Sequence, residues 1–177
     1  MTAAPVVALE IGTSQVRALV AEECEDAHLM VTAAGQCESR GVRKGEIVDF
    51  DNALACVRKA LEMAEDQGRV LVRDVHLLVT GGHIRSAVNR GVVPVLREGQ
   101  EITEEEIEQA MEMARALNLP PERTLLHSIC QRFYVDDQAG VVNPLGMEGS
   151  RLALDMLLLH GVRTRLRNSI RVVKSAH

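Results

Sequence analysis

The sequence predicts the α/β class: a first sheet built around one helix, then a strand, helix, strand, strand run. Three observations carry this. Residues 6–11 and 15–22 are apolar segments joined by Gly12-Thr13-Ser14, and the second alternates Val16, Ala18 and Val20 against Gln15 and Arg17. Leu54, Val57, Leu61 and Ala64 recur with a helical period and are followed by an apolar run at 75–80. A second helix start, Thr103-Glu104-Glu105-Glu106, lies among further strand-like stretches.

Taken in order, strands are expected at 6–11 and 15–22, and a third at 29–39 beyond the polar stretch 25–28, making an antiparallel meander. Residues 40–49, punctuated by Gly41 and Gly45, are expected as loop. Asp51 is the expected cap of the first helix and Gly68 its stop signal. After the strand at 75–80 and Gly81-Gly82, one more strand is expected within 83–95. Thr103 and Glu106 have the spacing of a capping box, in which hydroxyl and carboxylate satisfy each other's free backbone donors. The helix that follows should bury Ile107, Ala110, Met111, Ala114 and Leu117 and stop before Pro120-Pro121. Strands at 125–136 and 151–160 complete the second unit, and 162–174 is expected as an amphipathic helix with Val162, Leu166, Ile170 and Val173 on one face.

Composition excludes several classes. With 46% apolar and 25% charged residues the chain is globular rather than disordered. A net charge of −5 argues against broad nucleic-acid binding, which needs a positive excess, and Phe50, Phe133 and Tyr134 are too few to form a stacking platform. Cys24, Cys37, Cys56 and Cys130 are far apart without metal-ligand spacing, so four reduced, mostly buried thiols are expected. Residues 1–5 lack the positive region of a signal peptide, and no apolar run is long enough to span a bilayer, which makes a cytoplasmic chain the expectation. His83, His127 and His160 are isolated in sequence and are read as surface or satisfied core histidines.

Two segments could carry function. In Glu10-Ile11-Gly12-Thr13-Ser14 an acidic residue ends a strand and small residues make the turn. Glycine permits close approach of phosphate oxygens, and backbone N–H groups and hydroxyls supply donors. A carboxylate beside phosphate calls for a cation between them, so Glu10 suggests Mg²⁺, directly or through water. An ordinary hairpin uses the same turn residues. The acidic stretch 98–108 could dock a basic peptide through Glu104, Glu105 and Glu106, although carboxylates also favour the positive end of a helix for electrostatic reasons alone.

A resemblance spans nearly the whole chain. Val7-Ala8-Leu9-Glu10-Ile11-Gly12-Thr13 looks like the phosphate-binding hairpin of the actin, sugar-kinase and Hsp70 superfamily. Ser39-Arg40-Gly41-Val42-Arg43-Lys44-Gly45-Glu46-Ile47-Val48-Asp49 is similar to the pattern that FtsA proteins carry before their first helix, and 78–84 and 143–149 are also FtsA-like. The resemblance implies an actin/ribonuclease-H-like subdomain 1A, incomplete, over 1–81, an inserted subdomain 1C over 82–160, and a helix returning to 1A over 161–177, packed on the sheet rather than laid on a membrane. It implies ATP and Mg²⁺ as ligands of the complete protein, with Gly12, Thr13, Ser14 and Gln15 at the phosphates and Glu10 at the metal. Partners implied for 1C are FtsN and neighbouring FtsA protomers, in a protein that tethers FtsZ at the inner face of the cell membrane and recruits later division proteins. The second phosphate loop, the FtsZ pocket and the membrane-targeting helix would come from sequence beyond His177, so weak or no ATP binding and some self-association through an unpaired sheet edge are expected of this chain. Glu10 departs from the aspartate of many superfamily members, which bears on hydrolysis more than on binding. A PilM-like pilus adaptor and a superfamily sugar kinase are the alternatives; the first fits 39–49 less well, and the inserted unit speaks against the second.

Overall fold

The computed structural model describes residues 4–24, 28–96 and 101–176. The polar stretch 25–28 falls mostly outside them, as do residues 1–3 and Glu98. The chain divides into two compact units, 1–84 with 163–177, and 85–162.

In the first unit, β1 (Val6–Ile11), β2 (Gln15–Glu23) and β3 (Leu29–Glu38) form the expected meander, and β1 pairs in parallel with a later short strand at His76–Leu78. The alternation in β2 holds, with Val16, Ala18 and Val20 fully buried. Residues 40–49 are not all loop. Val42–Arg43 (β4) and Glu46–Ile47 (β5) pair across a two-residue turn in which Lys44 and Gly45 have φ of 52° and 75°. Positive φ at both central positions is the turn that matches strand twist.

Helix α1 (Phe50–Gly68) begins one cap earlier than the sequence suggests. Asp49, not Asp51, is the cap: its Oδ1 accepts the Asn52 N–H at 3.1 Å and its Oδ2 accepts from Asn52 Nδ2 at 2.7 Å. Those bonds hold the Asp49 carboxyl below its ordinary range, while Asp51 sits in the first turn where the helix dipole favours a negative charge. At the other end Arg69, with φ of 50°, adopts the left-handed cap, while Gly68 is the last helical residue and sits so close to β3 that a Cβ there would lie 3.0 Å from the Ala33 Cβ.

The strand expected at 75–80 is the short β6 (His76–Leu78). Helix α3 (Arg163–Ala176) runs beside α1 and β5, and its Val172 joins the core formed with the first sheet. Leu166 and Val172 are buried, Val173 is partly so, and Ile170 is 45% exposed. The buried face is rotated from the expected one because α3 is seated by polar contacts as well: Arg58 Nη2 donates to the Ser175 carbonyl at 2.7 Å, Arg165 pairs with Glu46, and Arg171 lies over the Phe50 ring. Val162, expected on this face, ends the preceding strand instead.

In the second unit, β7 (Arg85–Pro94), β8 (Arg123–Val135), β9 (Gln138–Val141) and β10 (Arg151–Val162) form an antiparallel sheet in the order β7-β10-β8-β9, with α2 (Glu104–Arg115) on one face. The short β9 is additional to the expected strand, helix, strand, strand order. Leu152, Leu154, Met156 and Leu158 of the central strand are fully buried beneath α2, whose Ala110 and Ala114 have no exposed surface, and Ile107, Met111 and Leu117 pack partly against the same core. The helix approaches closely because Gly91 faces it: a Cβ there would lie 2.0 Å from the Ala110 carbonyl oxygen.

On the opposite face of this sheet, Asp155 accepts from Arg90 Nε at 2.6 Å, from Arg90 Nη2 at 2.9 Å and from the Tyr134 hydroxyl at 2.7 Å, and the guanidinium lies 4.3 Å from the Tyr134 ring centroid. The Arg90 bonds, the largest cause, hold the Asp155 carboxyl at about 2. A carboxylate whose pKa is lower when folded adds stability that is complete above its unfolded value and is lost as pH falls through the folded one. The Tm advantage of the wild type over Asp155→Asn is therefore expected to be full at about pH 6 and to shrink between about pH 4 and 2. Thermal melts across that range check it; an advantage independent of pH would contradict it.

Candidate functional site

The first candidate is the turn between β1 and β2. The Gly12 N–H donates to the Gln15 carbonyl at 3.0 Å and closes the hairpin, leaving Thr13 and Ser14 exposed at its tip. A Cβ at Gly12 would lie 2.8 Å from that carbonyl oxygen, so the close approach requires glycine. Two neighbours brace the tip: the Ser14 carbonyl accepts from the Ser39 N–H at 2.9 Å, and the Thr13 hydroxyl accepts from the Gly45 N–H at 3.0 Å. The second bond brings the β4–β5 turn, with the exposed cation of Lys44, beside the tip. The sequence signal for that neighbour was Lys44-Gly45 between Val42 and Glu46, a two-residue turn pattern hidden within an expected loop.

Glu10 faces a different set of groups. Its Oε2 lies 3.4 Å from Arg17 Nη1 on the paired strand, and Arg17 also donates to the Gln15 Oε1 through Nε at 3.0 Å and Nη2 at 2.7 Å. Arginine thus already offers a partner to the carboxylate expected to hold Mg²⁺. Among the described residues no group of three or more His, Cys, Asp or Glu side chains could hold a metal ion. The turn fits a phosphate through exposed hydroxyls, the Gln15 amide nitrogen and nearby Lys44. A cation at Glu10 would need oxygen ligands from the phosphates themselves, which is how Mg²⁺ is usually held.

The second candidate is the start of α2. Glu106 is 7% exposed, and its Oε2 accepts the Thr103 N–H at 2.9 Å and the Thr103 hydroxyl proton. The capping box is therefore made as expected, and Glu106 turns inward. Glu104 and Glu105 are exposed, but they diverge: Glu105 Oε1 accepts from Gln109 Nε2 at 3.4 Å, whereas Glu104 joins Ile107, Glu108, Met111 and Arg115 around a shallow groove of about 320 Å³. Its floor is apolar and its walls are acidic until Arg115. Ahead of the helix, Ile102 is buried and exchanges backbone bonds of 2.9 Å with Gly146 and Met147, which anchors the helix start.

His127 is exposed, His83 is buried, and His160 Nδ1 accepts from Arg123 Nε at 2.6 Å, with burial and then the Arg123 charge lowering its pKa. No helix among the described residues is long and apolar enough to cross a membrane.

A meander with a parallel fourth strand, plus a helix-backed antiparallel sheet inserted between β6 and α3, defines an actin-like protein carrying an inserted subdomain. Residues 81–160 match the family described as the SHS2 domain inserted in FtsA. The chain is 36% identical over 160 residues to the cell division protein FtsA of Neisseria meningitidis, covering 90% of this chain and 38% of that protein. It is 33% identical over 169 residues to FtsA of Escherichia coli, covering 96% and 40%, and 33% identical over 168 residues to FtsA of Streptococcus pneumoniae, covering 95% and 36%. Among solved structures it is similar in fold to a chain of a PilM-PilN type IV pilus biogenesis complex, with a TM-score of 0.62 at 14% identity, covering 97% of this chain and 44% of that one. The chain belongs to the FtsA family of cell-division proteins. It spans about two fifths of the length of the curated relatives it matches.

Proposed function

We propose that this chain contributes the protein-docking part of an FtsA-type assembly protein. The proposed role of the complete protein is to tether FtsZ to the inner face of the cell membrane at the division site and to recruit later division proteins. The observation that supports a docking role is the α2 groove, where Glu104 and Glu108 flank the partly buried Ile107 and Met111. A peptide with basic residues spaced around one or two apolar anchors complements such a surface. The proposed occupants are the cytoplasmic tail of FtsN and, in filaments, a neighbouring FtsA protomer.

In the first unit, Gly12, Thr13, Ser14 and Gln15 are proposed to receive the phosphates of ATP, with Glu10 supporting Mg²⁺ through the phosphate-bound ion. This chain would bind the nucleotide weakly by itself, since the turn supplies few of the contacts that a nucleotide needs.

Titration of the chain with a peptide from the cytoplasmic tail of FtsN of the same organism tests the docking role. Saturable binding is expected, weakened at least about tenfold by Glu104→Lys with Glu108→Lys, a loss of the size that reversing two charges at a groove produces. Glu106 is left intact because reversing it would break the cap. Binding unchanged in the double variant would remove the groove from the interface, and no binding by the wild type would remove the proposed partner.

A further inference from the structure

We propose that Cys37 and Cys56 form a dithiol modification site, which hydrogen peroxide closes into a disulfide joining β3 to α1. The site follows from how the helix meets the strand. At Gly35 the two backbones come so close that a Cβ would lie 2.0 Å from the Ala60 carbonyl oxygen and 2.7 Å from the Ala64 nitrogen. Two residues along a strand advance about 6.6 Å, and four residues along a helix about 6 Å. Moving from Gly35 to Cys37 and from Ala60 back to Cys56 therefore preserves the approach. The contacts agree: Cys37 S–H donates to the Cys56 carbonyl at 3.2 Å, and Cys56 S–H donates to the Glu38 carbonyl at 3.4 Å.

Access and chemistry divide the roles. Both cysteines border a surface pocket of about 290 Å³ that Glu38, Arg40, Asn52, Ala55 and Lys59 also line, wide enough for a small oxidant. Cys37 is the more exposed, Cys56 only 8% exposed. Cys37 as thiolate attacks one peroxide oxygen; the O–O bond breaks, hydroxide leaves and takes up a proton to become water, and Cys37 becomes a sulfenic acid. Cys56 sulfur then attacks the Cys37 sulfur, the S–O bond breaks, and the departing hydroxyl leaves as a second water with the Cys56 proton. Two thiols are oxidised and one peroxide is reduced. Burial, then Cys56, holds the Cys37 thiol above its ordinary value, with Lys59 opposing, so the reaction is expected to quicken as pH rises.

The test uses the whole chain, reduced and then treated with hydrogen peroxide at about pH 8, where thiolate is available. Loss of two of the four free thiols is expected. Cleavage after Arg, Lys and Glu places the four cysteines on separate peptides, so mass spectrometry of the wild type should show Cys37 linked to Cys56 without any variant. The link should vanish in Cys37→Ser and persist in the double variant Cys24→Ser, Cys130→Ser, and the oxidised chain should melt several degrees higher than the reduced one. Recovery of Cys37 as a sulfinic acid beside unmodified Cys56, or its linkage to Cys24, Cys130 or a second chain, would overturn the proposal.

Discussion

Replacing Gly91 by valine is expected to destabilise the inserted unit by about 3 kcal/mol or more, beyond the usual range for overpacking, because the obstacle is backbone rather than a side chain that can turn away. The new Cβ would lie 2.0 Å from the Ala110 carbonyl oxygen and 2.8 Å from the Ala114 nitrogen. Relief needs α2 to lift from β7 and β10, which uncovers Leu154, Met156 and Leu158, all with no exposed surface. Val92→Thr, one residue on and facing away from α2, should change stability by less than about 0.5 kcal/mol. Denaturant unfolding of both variants decides the matter: similar midpoints would mean that the helix moves without cost.

The first unit uses the same device. A Cβ at Gly35 of β3 would lie 2.0 Å from the Ala60 carbonyl oxygen and 2.7 Å from the Ala64 nitrogen of α1, as one at Gly91 would crowd Ala110 and Ala114. In both, a glycine in a strand faces two alanines four residues apart on a helix. Neither approach has a signature in its own segment, since Gly35 and Gly91 look like weak points in a strand until the helix is known to cross there. Elements with a strong local period were legible: the alternation of β2, the apolar stripe of α1, the capping box of α2. What failed depended on geometry beyond the period. Asp49 and Asp51 are both plausible caps, and the choice fell to Asn52, whose side chain bonds Asp49. The buried face of α3 was set by its seat against α1, so Ile170 was left outside.

The candidate sites were legible to a similar depth. Gly12-Thr13-Ser14 was recognisable as a turn able to meet phosphate, but its brace, the bond from the Gly45 N–H to the Thr13 hydroxyl, joins residues 32 positions apart. Glu104, Glu105 and Glu106 are contiguous in sequence, and contiguity misleads on a helix, where neighbours point in different directions and residues three or four apart share a face. Glu106 therefore caps, Glu105 meets Gln109, and Glu104 belongs with Glu108. The charged groove became visible only when the helix was wound.

The second large effect is expected at Gly45, where valine should cost about 3 kcal/mol and loosen the phosphate turn as well. Gly45 has φ of 75°, a conformation that a β-branched residue adopts only under strain. Its Cβ would also lie 2.8 Å from Thr80 Oγ1 and 2.9 Å from the Thr80 carbonyl carbon and oxygen, two of which are main-chain atoms. Displacing residue 45 withdraws the N–H from the Thr13 hydroxyl and shifts the β4–β5 turn away from the hairpin tip. Gly45→Asn, which tolerates positive φ better, separates the two causes: it should recover the part of the loss due to backbone strain and keep the part due to crowding against Thr80. Thermal melts give the stability ranking, and hydrogen exchange at the Gly12 and Ser39 amides, which donate to the Gln15 and Ser14 carbonyls, reports the turn. Faster exchange there in Gly45→Val, with Gly45→Asn between it and the wild type, is the expected order; unchanged exchange in a destabilised variant would show that the turn holds its shape without the brace.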